Sequence, residues 1–107
     1  MEIQTEKILK ELRSRVENEL GDRLVRIVLF GSKARGDFDI ESDIDIAMIV
    51  RDLSREIKHQ ILDSVAEIEM KYFTPLSVHI LSESEFERLK KRERRFALDI
   101  EREGVPL

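Results

Sequence analysis

Helical and extended apolar patterns alternate along this chain, which predicts a small α/β (α+β) protein with a mixed three-stranded sheet flanked by helices. Three segments have the apolar content of strands, and three longer ones have apolar residues at helical spacing. Counting a short helical turn after the first strand, the order is helix, strand, turn, strand, helix, strand, helix (αβαβαβα). A chain of 107 residues can bury one modest core, so residues 1–107 are predicted to form a single domain.

The first two helices follow from the spacing of their apolar residues. Residues 5–20 carry one apolar stripe and are followed by Gly21, a residue that commonly ends helices. Residues 54–72 carry a second stripe, and Pro75 disfavours helix in the residue before it. His59 lies off this stripe and is interpreted as a surface histidine.

The strands are predicted at residues 23–30, 43–50 and 76–81. The first is almost continuously apolar, which is typical of a central strand covered on both faces. The third alternates, with Ser77 and His79 on the face opposite its apolar side chains.

A last helix is predicted from overlapping capping boxes at residues 82–87 to about residue 104. Glu93 interrupts its apolar stripe, so we expect a bend or a division there. This helix also carries a basic run, which is usually a solvated face but could receive an acidic partner or a nucleic acid. Its basic residues are Arg88, Lys90, Lys91, Arg92, Arg94 and Arg95.

Two acids at the start of the second strand form a candidate metal site. Because side chains two positions apart share a face of a strand, Asp43 and Asp45 project together, about 7 Å apart along the chain. Carboxylate oxygens suit a hard cation, and a site with few protein ligands leaves room for water and phosphate oxygens, as Mg²⁺ prefers. The alternative is a polar strand face that discourages edge pairing.

The preceding loop is a candidate phosphate site. Gly31 and Ser32 follow the first strand and could open a helical turn, whose free amides and dipole attract phosphate oxygens. Arg35 can donate several hydrogen bonds to a triphosphate, whereas Lys33 is expected to be solvated. An ordinary turn is the alternative for Gly31-Ser32, and a surface arginine for Arg35.

Two other phosphate or metal motifs are excluded by spacing. A calcium loop counted from Asp37 would have Ser42 at the glycine position and Met48 at the position of the bidentate glutamate. A P-loop requires Lys and Ser or Thr after its second glycine, but Asp37 and Phe38 follow Gly36.

The segment FGSKARGDFDIESDIDIAMIV resembles the signature of the DNA polymerase beta-type nucleotidyltransferase superfamily, and most of all its minimal nucleotidyltransferases. The resemblance implies a nucleotidyltransferase fold, in which Gly31 and Ser32 bind a nucleoside triphosphate, most simply ATP. It also implies that Asp43 and Asp45 bind Mg²⁺ and are catalytic.

The chain departs from that pattern on its third strand. Catalytically complete members of the superfamily have a third acid there, which joins the metal site and helps to deprotonate the attacking hydroxyl. Here the candidate positions hold Ser77 and His79. His79 could accept a proton near neutral pH and is our third candidate catalytic residue, with an ordinary strand histidine as the alternative.

These observations lead to two main functional hypotheses, and a degenerate structural module that binds no nucleotide is a third possibility. The first is an Mg²⁺-dependent enzyme that transfers a nucleoside monophosphate to an acceptor such as a hydroxyl on a partner protein. The second, implied by the resemblance, is a nucleotide-binding antitoxin that neutralises a small helical HEPN toxin by complex formation, with little or no catalysis. Self-association is also compatible with a small fold that has open sheet edges.

Composition excludes several other classes. The chain has no cysteine, so disulfide and thiolate-metal chemistry are excluded. Its formal charge of −4 argues against general binding to nucleic acid. It has neither a membrane-length apolar run nor a signal-peptide pattern, and we expect a cytoplasmic protein.

Overall fold

A computed structural model describes residues 3–31, 44–92 and 94–107. Four α-helices and four strands are present in these ranges. The first half comprises α1 (Ile3–Leu20), a 3-10 turn (Gly21–Arg23), β1 (Leu24–Phe30), β2 (Ile44–Val50) and α2 (Arg55–Tyr72). The second half comprises β3 (Leu76–Ser82), α3 (Glu83–Lys91), α4 (Arg95–Glu103) and β4 (Val105–Pro106).

The strands form one mixed sheet in the order β3-β2-β1-β4. β2 lies antiparallel to β1 and parallel to β3, and β4 lies antiparallel to the other edge of β1. The two central strands are the most deeply buried, because helices cover the sheet on both sides. This confirms the predicted α/β class and the mixed sheet flanked by helices.

The strand count of three was wrong, since β4 adds a fourth strand. Val105 pairs with Leu29, Pro106 pairs with Val28, and the amide of Leu107 donates to the carbonyl of Ile27 at 3.0 Å. A strand of two residues is too short to show a periodic pattern in the sequence, and its proline indicates the end of a strand rather than a strand. Proline is tolerated because β4 is an edge strand, where a missing amide donor leaves no ladder bond unmade.

Two apolar clusters lie on opposite faces of the sheet. The larger contains the buried stripes of α1 and α2 with Ile44, Ile46 and Met48 of β2. The smaller joins Ala47 and Ile49 of the same strand to the buried side chains of α3 and α4. The alternation along β2 therefore separates a thick α1/α2 layer from a thinner α3/α4 layer.

The last helical segment is divided, as expected from its interrupted stripe. α3 opens with a capping box in which Ser82 and Glu85 exchange hydrogen bonds, and it ends at Lys91. α4 begins at Arg95. Between the two helices, the amide of Arg94 donates a hydrogen bond of 3.0 Å to the carbonyl of Leu89. In the described part of the chain, no helix is long and apolar enough to cross a bilayer.

Candidate functional site

The register of the sheet brings three predicted elements of the site to one corner. β1 and β2 are antiparallel, so the end of β1 lies beside the start of β2, and Phe30 pairs with Asp45. β3 runs parallel to β2, so its start lies at the same end, and Ser77 pairs with Asp45 from the other side. Gly31, Asp45 and Ser77 therefore converge, although the sequence separates them by 46 positions.

Asp45 projects from the face of the sheet that α3 and α4 cover. Ala47 and Ile49 alternate with it along β2, and both pack into the smaller cluster with α3 and α4. Those two residues are buried, whereas Asp45 is half-buried. Asp45 is therefore less covered than the two residues that alternate with it on this face.

Gly31 lies against this carboxylate. Its φ angle is +75°, in the left-handed region that disfavours residues with a side chain. A Cβ atom at position 31 would lie 2.4 Å from Oδ2 of Asp45, which is too close for any real contact. Both observations favour glycine here, and the short distance places the backbone at the end of β1 against the predicted metal ligand.

The polar face of β3 contains both residues that stand in place of the expected third acid. Ser77 is level with Asp45, and His79 lies two residues further along on the same face, opposite Ala47. Oγ of Ser77 and Nε2 of His79 lie 3.4 Å apart. Ser77 is therefore the position nearest to Asp45, a point that sequence reasoning missed because the parallel register is set by tertiary packing.

Two aromatic rings flank His79. Its ring centroid lies 5.6 Å from that of Phe30 and 5.1 Å from that of Phe96, and the two phenyl rings meet edge to face at 5.4 Å. Phe96 lies in the first turn of α4, so this cluster connects α4 to the residues beside Asp45. The involvement of Phe96 was not predicted, because nothing in its local sequence distinguishes it from a core residue.

The remaining predicted site residues, Ser32, Arg35 and Asp43, lie outside the described residues, as does the predicted helical turn. Within residues 3–31, 44–92 and 94–107, no three His, Asp or Glu side chains are grouped closely enough to hold a metal. The donors that are described, one carboxylate and a neighbouring hydroxyl, are hard oxygen ligands of the kind Mg²⁺ accepts. They fit part of a magnesium site that would be completed by Asp43 and by phosphate oxygens.

Comparison with known proteins gives the family. The model of the family described as "Nucleotidyltransferase domain" matches residues 5–102. This chain belongs to that family. As a nucleotidyltransferase it is a transferase, and the resemblance to minimal nucleotidyltransferases is confirmed.

Relatives of this nucleotidyltransferase occur in Methanocaldococcus jannaschii. It is 35% identical over 83 residues to "Putative protein adenylyltransferase MJ0604", covering 78% of this chain and 79% of that protein. It is 38% identical over 66 residues to "Putative protein adenylyltransferase MJ0141", covering 61% of this chain and 67% of that protein.

Solved structures share the fold of this nucleotidyltransferase. A mutant of the MntA-HpeT toxin-antitoxin has a chain that matches with a TM-score of 0.53 and 21% identity, over 99% of this chain and 72% of that one. A toxin-antitoxin structure with AMP-PNP matches with a TM-score of 0.53 and 19% identity, over 89% of this chain and 68% of that one. At these identities the likeness shows a common fold.

Proposed function

We propose that this nucleotidyltransferase transfers AMP from ATP, in the presence of Mg²⁺, to a hydroxyl group on a partner protein. One observation carries the proposal: the backbone at Gly31 is packed against the carboxylate of Asp45, with no space for a side chain between them. A turn that binds phosphate and an acid that binds a cation would be placed this close if both served the same Mg²⁺-nucleotide.

Each candidate residue has a distinct role in this proposal. The amides at Gly31 and Ser32 would bind the β- and γ-phosphates, and Arg35 would donate further hydrogen bonds to the triphosphate. Asp43 and Asp45 would hold Mg²⁺, which neutralises phosphate charge and aligns the attacking and leaving oxygens. The acceptor oxygen would form a bond to the α-phosphorus, while the bond from that phosphorus to pyrophosphate breaks.

The proton of the acceptor hydroxyl must also be removed. His79 is our candidate, since an imidazole nitrogen can act as a general base and its Nε2 lies 3.4 Å from Oγ of Ser77, the residue level with Asp45. His79 is exposed, so an acceptor could approach it from solvent.

The choice of ATP and of a protein acceptor is supported by the relatives. The two Methanocaldococcus jannaschii proteins are named as protein adenylyltransferases, and a neighbour of the same fold was solved with AMP-PNP.

A second function is favoured by the polar face of β3. Ser77 and His79 provide no carboxylate at the position next to Asp45, and general-base assistance can contribute roughly 10²–10⁴-fold to a rate. The protein could therefore act as an antitoxin that binds nucleotide and neutralises a HEPN toxin by complex formation. The two neighbours from toxin-antitoxin structures support this alternative.

Calorimetry with Asp45→Asn and Asp43→Asn tests the site. We expect each change to weaken the binding of Mg²⁺-ATP by about tenfold or more, because a charge-assisted contact to the ligand is lost. Asp63→Asn is the matched control, since Asp63 is exposed on α2 and belongs to the opposite layer. If both site variants bind Mg²⁺-ATP as tightly as the control does, the site assignment is wrong.

Label transfer separates the two functions. The protein is incubated with α-labelled ATP, Mg²⁺ and the product of the neighbouring gene. The enzyme hypothesis predicts label on that protein, and no label with Asp45→Asn. A stable complex without label would support the antitoxin acting by binding.

A further inference from the structure

The junction between α3 and α4 concentrates positive charge on an acidic protein. Residues 88–95 contain six basic side chains and one acidic side chain, a formal charge of +5. The whole chain carries −4, so the other 99 residues together carry −9. Such a localised reversal of sign creates a strong local field.

Most of these cations form no ion pair within the described part of the fold. Lys90 is paired with Glu101 at 3.0 Å and with Glu87 at 3.2 Å, and Arg95 lies 3.9 Å from Asp99. Four further cations are exposed and form no ion pair with any carboxylate in the described part of the chain. We call these four the basic junction: Arg88, Lys91, Arg92 and Arg94.

Local preferences explain the charge only in part. The helix dipole favours Arg88, Lys90 and Lys91 in the last turn of α3, but it opposes the arginines at the start of α4. Arg94 is the N-cap of α4 but makes no capping hydrogen bond, and Arg95 follows in a first turn that has no acid. Cations at the N-terminus of a helix are opposed by its dipole, and arginine is a poor N-cap. These side chains therefore weaken α4 slightly, which is understandable if they serve an interaction.

The basic junction adjoins the candidate site. Phe96, two residues after Arg94, contacts the rings of His79 and Phe30 at centroid distances of 5.1 and 5.4 Å. Phe30 is paired with Asp45 across the sheet. Arg94 is the N-cap of the turn of α4 that carries Phe96, so the junction and the candidate site lie at the same end of α4.

We propose that the basic junction binds an acidic segment of the acceptor protein and so presents its hydroxyl group to the Asp45 site. This inference rests on the proposed function, and it adds the chemical class of the acceptor: a hydroxyl flanked by carboxylates. Charge complementarity would steer the segment to the face on which the nucleotide is bound.

A protein segment fits this surface better than a nucleic acid does. The residues outside the segment 88–95 carry a formal charge of −9. A long polyanion that extended beyond the junction would be repelled by this charge, whereas a short acidic segment can bind within the junction. Binding of single strands also relies on open aromatic faces, but Phe30 and Phe96 are partly buried against each other.

The test uses the full chain and three fluorescent probes. The first is a short peptide in which one tyrosine is flanked by glutamates, the second has glutamines in place of the glutamates, and the third is a single-stranded RNA of similar length. Binding is followed by fluorescence anisotropy at low salt and at about 0.15 M salt. The variant combines Lys91→Gln, Arg92→Gln and Arg94→Gln.

The matched control combines Lys7→Gln, Lys10→Gln and Lys58→Gln. These lysines are exposed on α1 and α2, which cover the opposite face of the sheet, so the control removes the same charge elsewhere. We expect the acidic peptide to bind more tightly than the other two probes, and more weakly at higher salt. The junction variant should lose about tenfold in affinity for it and the control less than about twofold, since three ion pairs are lost in the first case.

Three results would overturn the proposal. Equal losses in the two triple variants would indicate general attraction, and tighter binding of RNA than of the acidic peptide would identify a nucleic-acid surface. Loss of Mg²⁺-ATP binding in the junction variant would assign these cations to the nucleotide. The Asp45→Asn variant distinguishes failure of this proposal from failure of the proposed function. It should bind the acidic peptide as the parent does, whether or not Asp45 belongs to the nucleotide site.

Discussion

Replacing Ser77 by aspartate should supply the carboxylate that β3 lacks. Ser77 is paired with Asp45 in the parallel register, and neighbouring strands lie about 4.8 Å apart, so the new carboxylate would lie close to that of Asp45 on the same face. It could then share a cation with Asp45 and accept the proton of the attacking hydroxyl. We expect Ser77→Asp to be a gain-of-function variant.

The size of the effect follows from two opposing contributions. Two carboxylates about 5 Å apart repel by roughly 1–3 kcal/mol at effective dielectric constants of 80 to 20, so the variant should be less stable than the parent without a metal. A general base contributes roughly 10²–10⁴-fold, and we expect the lower end, about 100-fold in kcat or ~2.7 kcal/mol in activation free energy. Mg²⁺ should relieve the repulsion and restore stability.

Two assays measure these effects, and one of them needs no acceptor. Thermal melts with and without Mg²⁺ should show a larger rise in Tm for Ser77→Asp than for Ser77→Asn, a control of similar size without charge. Release of pyrophosphate from ATP, with the product of the neighbouring gene as acceptor, measures turnover. If Ser77→Asp behaves like Ser77→Asn in both assays, Ser77 does not face the metal and nucleotide.

Three further predictions concern individual contacts. Gly31→Ala should destabilise the protein by about 1–3 kcal/mol in urea unfolding, since position 31 has φ +75° and no space beside Asp45, and it should also weaken Mg²⁺-ATP binding. Phe73→Gly should stabilise it by about 1 kcal/mol, because Phe73 has φ 51° at the end of α2 while its side chain is 93% exposed; an unchanged or lower urea midpoint would contradict this. The pKa of Glu101 is lowered, mainly by the hydrogen bond from Lys90 and also by the charge of Arg26. The ionised carboxylate of Glu101 therefore stabilises the fold at pH values above the ordinary pKa of glutamate. Glu101→Gln should therefore lower the free energy of unfolding by roughly 0.5 kcal/mol at pH 7. The difference from the parent should shrink below about pH 4, as the parent's carboxylate is protonated, and a constant difference down to about pH 2 would refute the linkage.

The elements of this protein were largely determined by its local sequence. The apolar stripe of α1 matches its buried residues, and that of α2 does so except at Leu62, which is 41% exposed. Ser82 with Glu85 marks the start of α3. Each of these signals depends on residues within a few positions of one another, as periodicity and capping do. The compound pattern of Gly31, Ser32, Asp43 and Asp45 was likewise sufficient to recognise the family that the comparison then showed.

Only the tertiary structure decided which distant residues meet. Ser77 rather than His79 is level with Asp45, because that depends on the parallel register of β2 and β3. The β4 pairing, the contact of Phe96 with His79, and the position of the basic junction beside the site are equally non-local. Register and helix placement arise from burying two apolar faces at once, and no single segment of sequence carries that information.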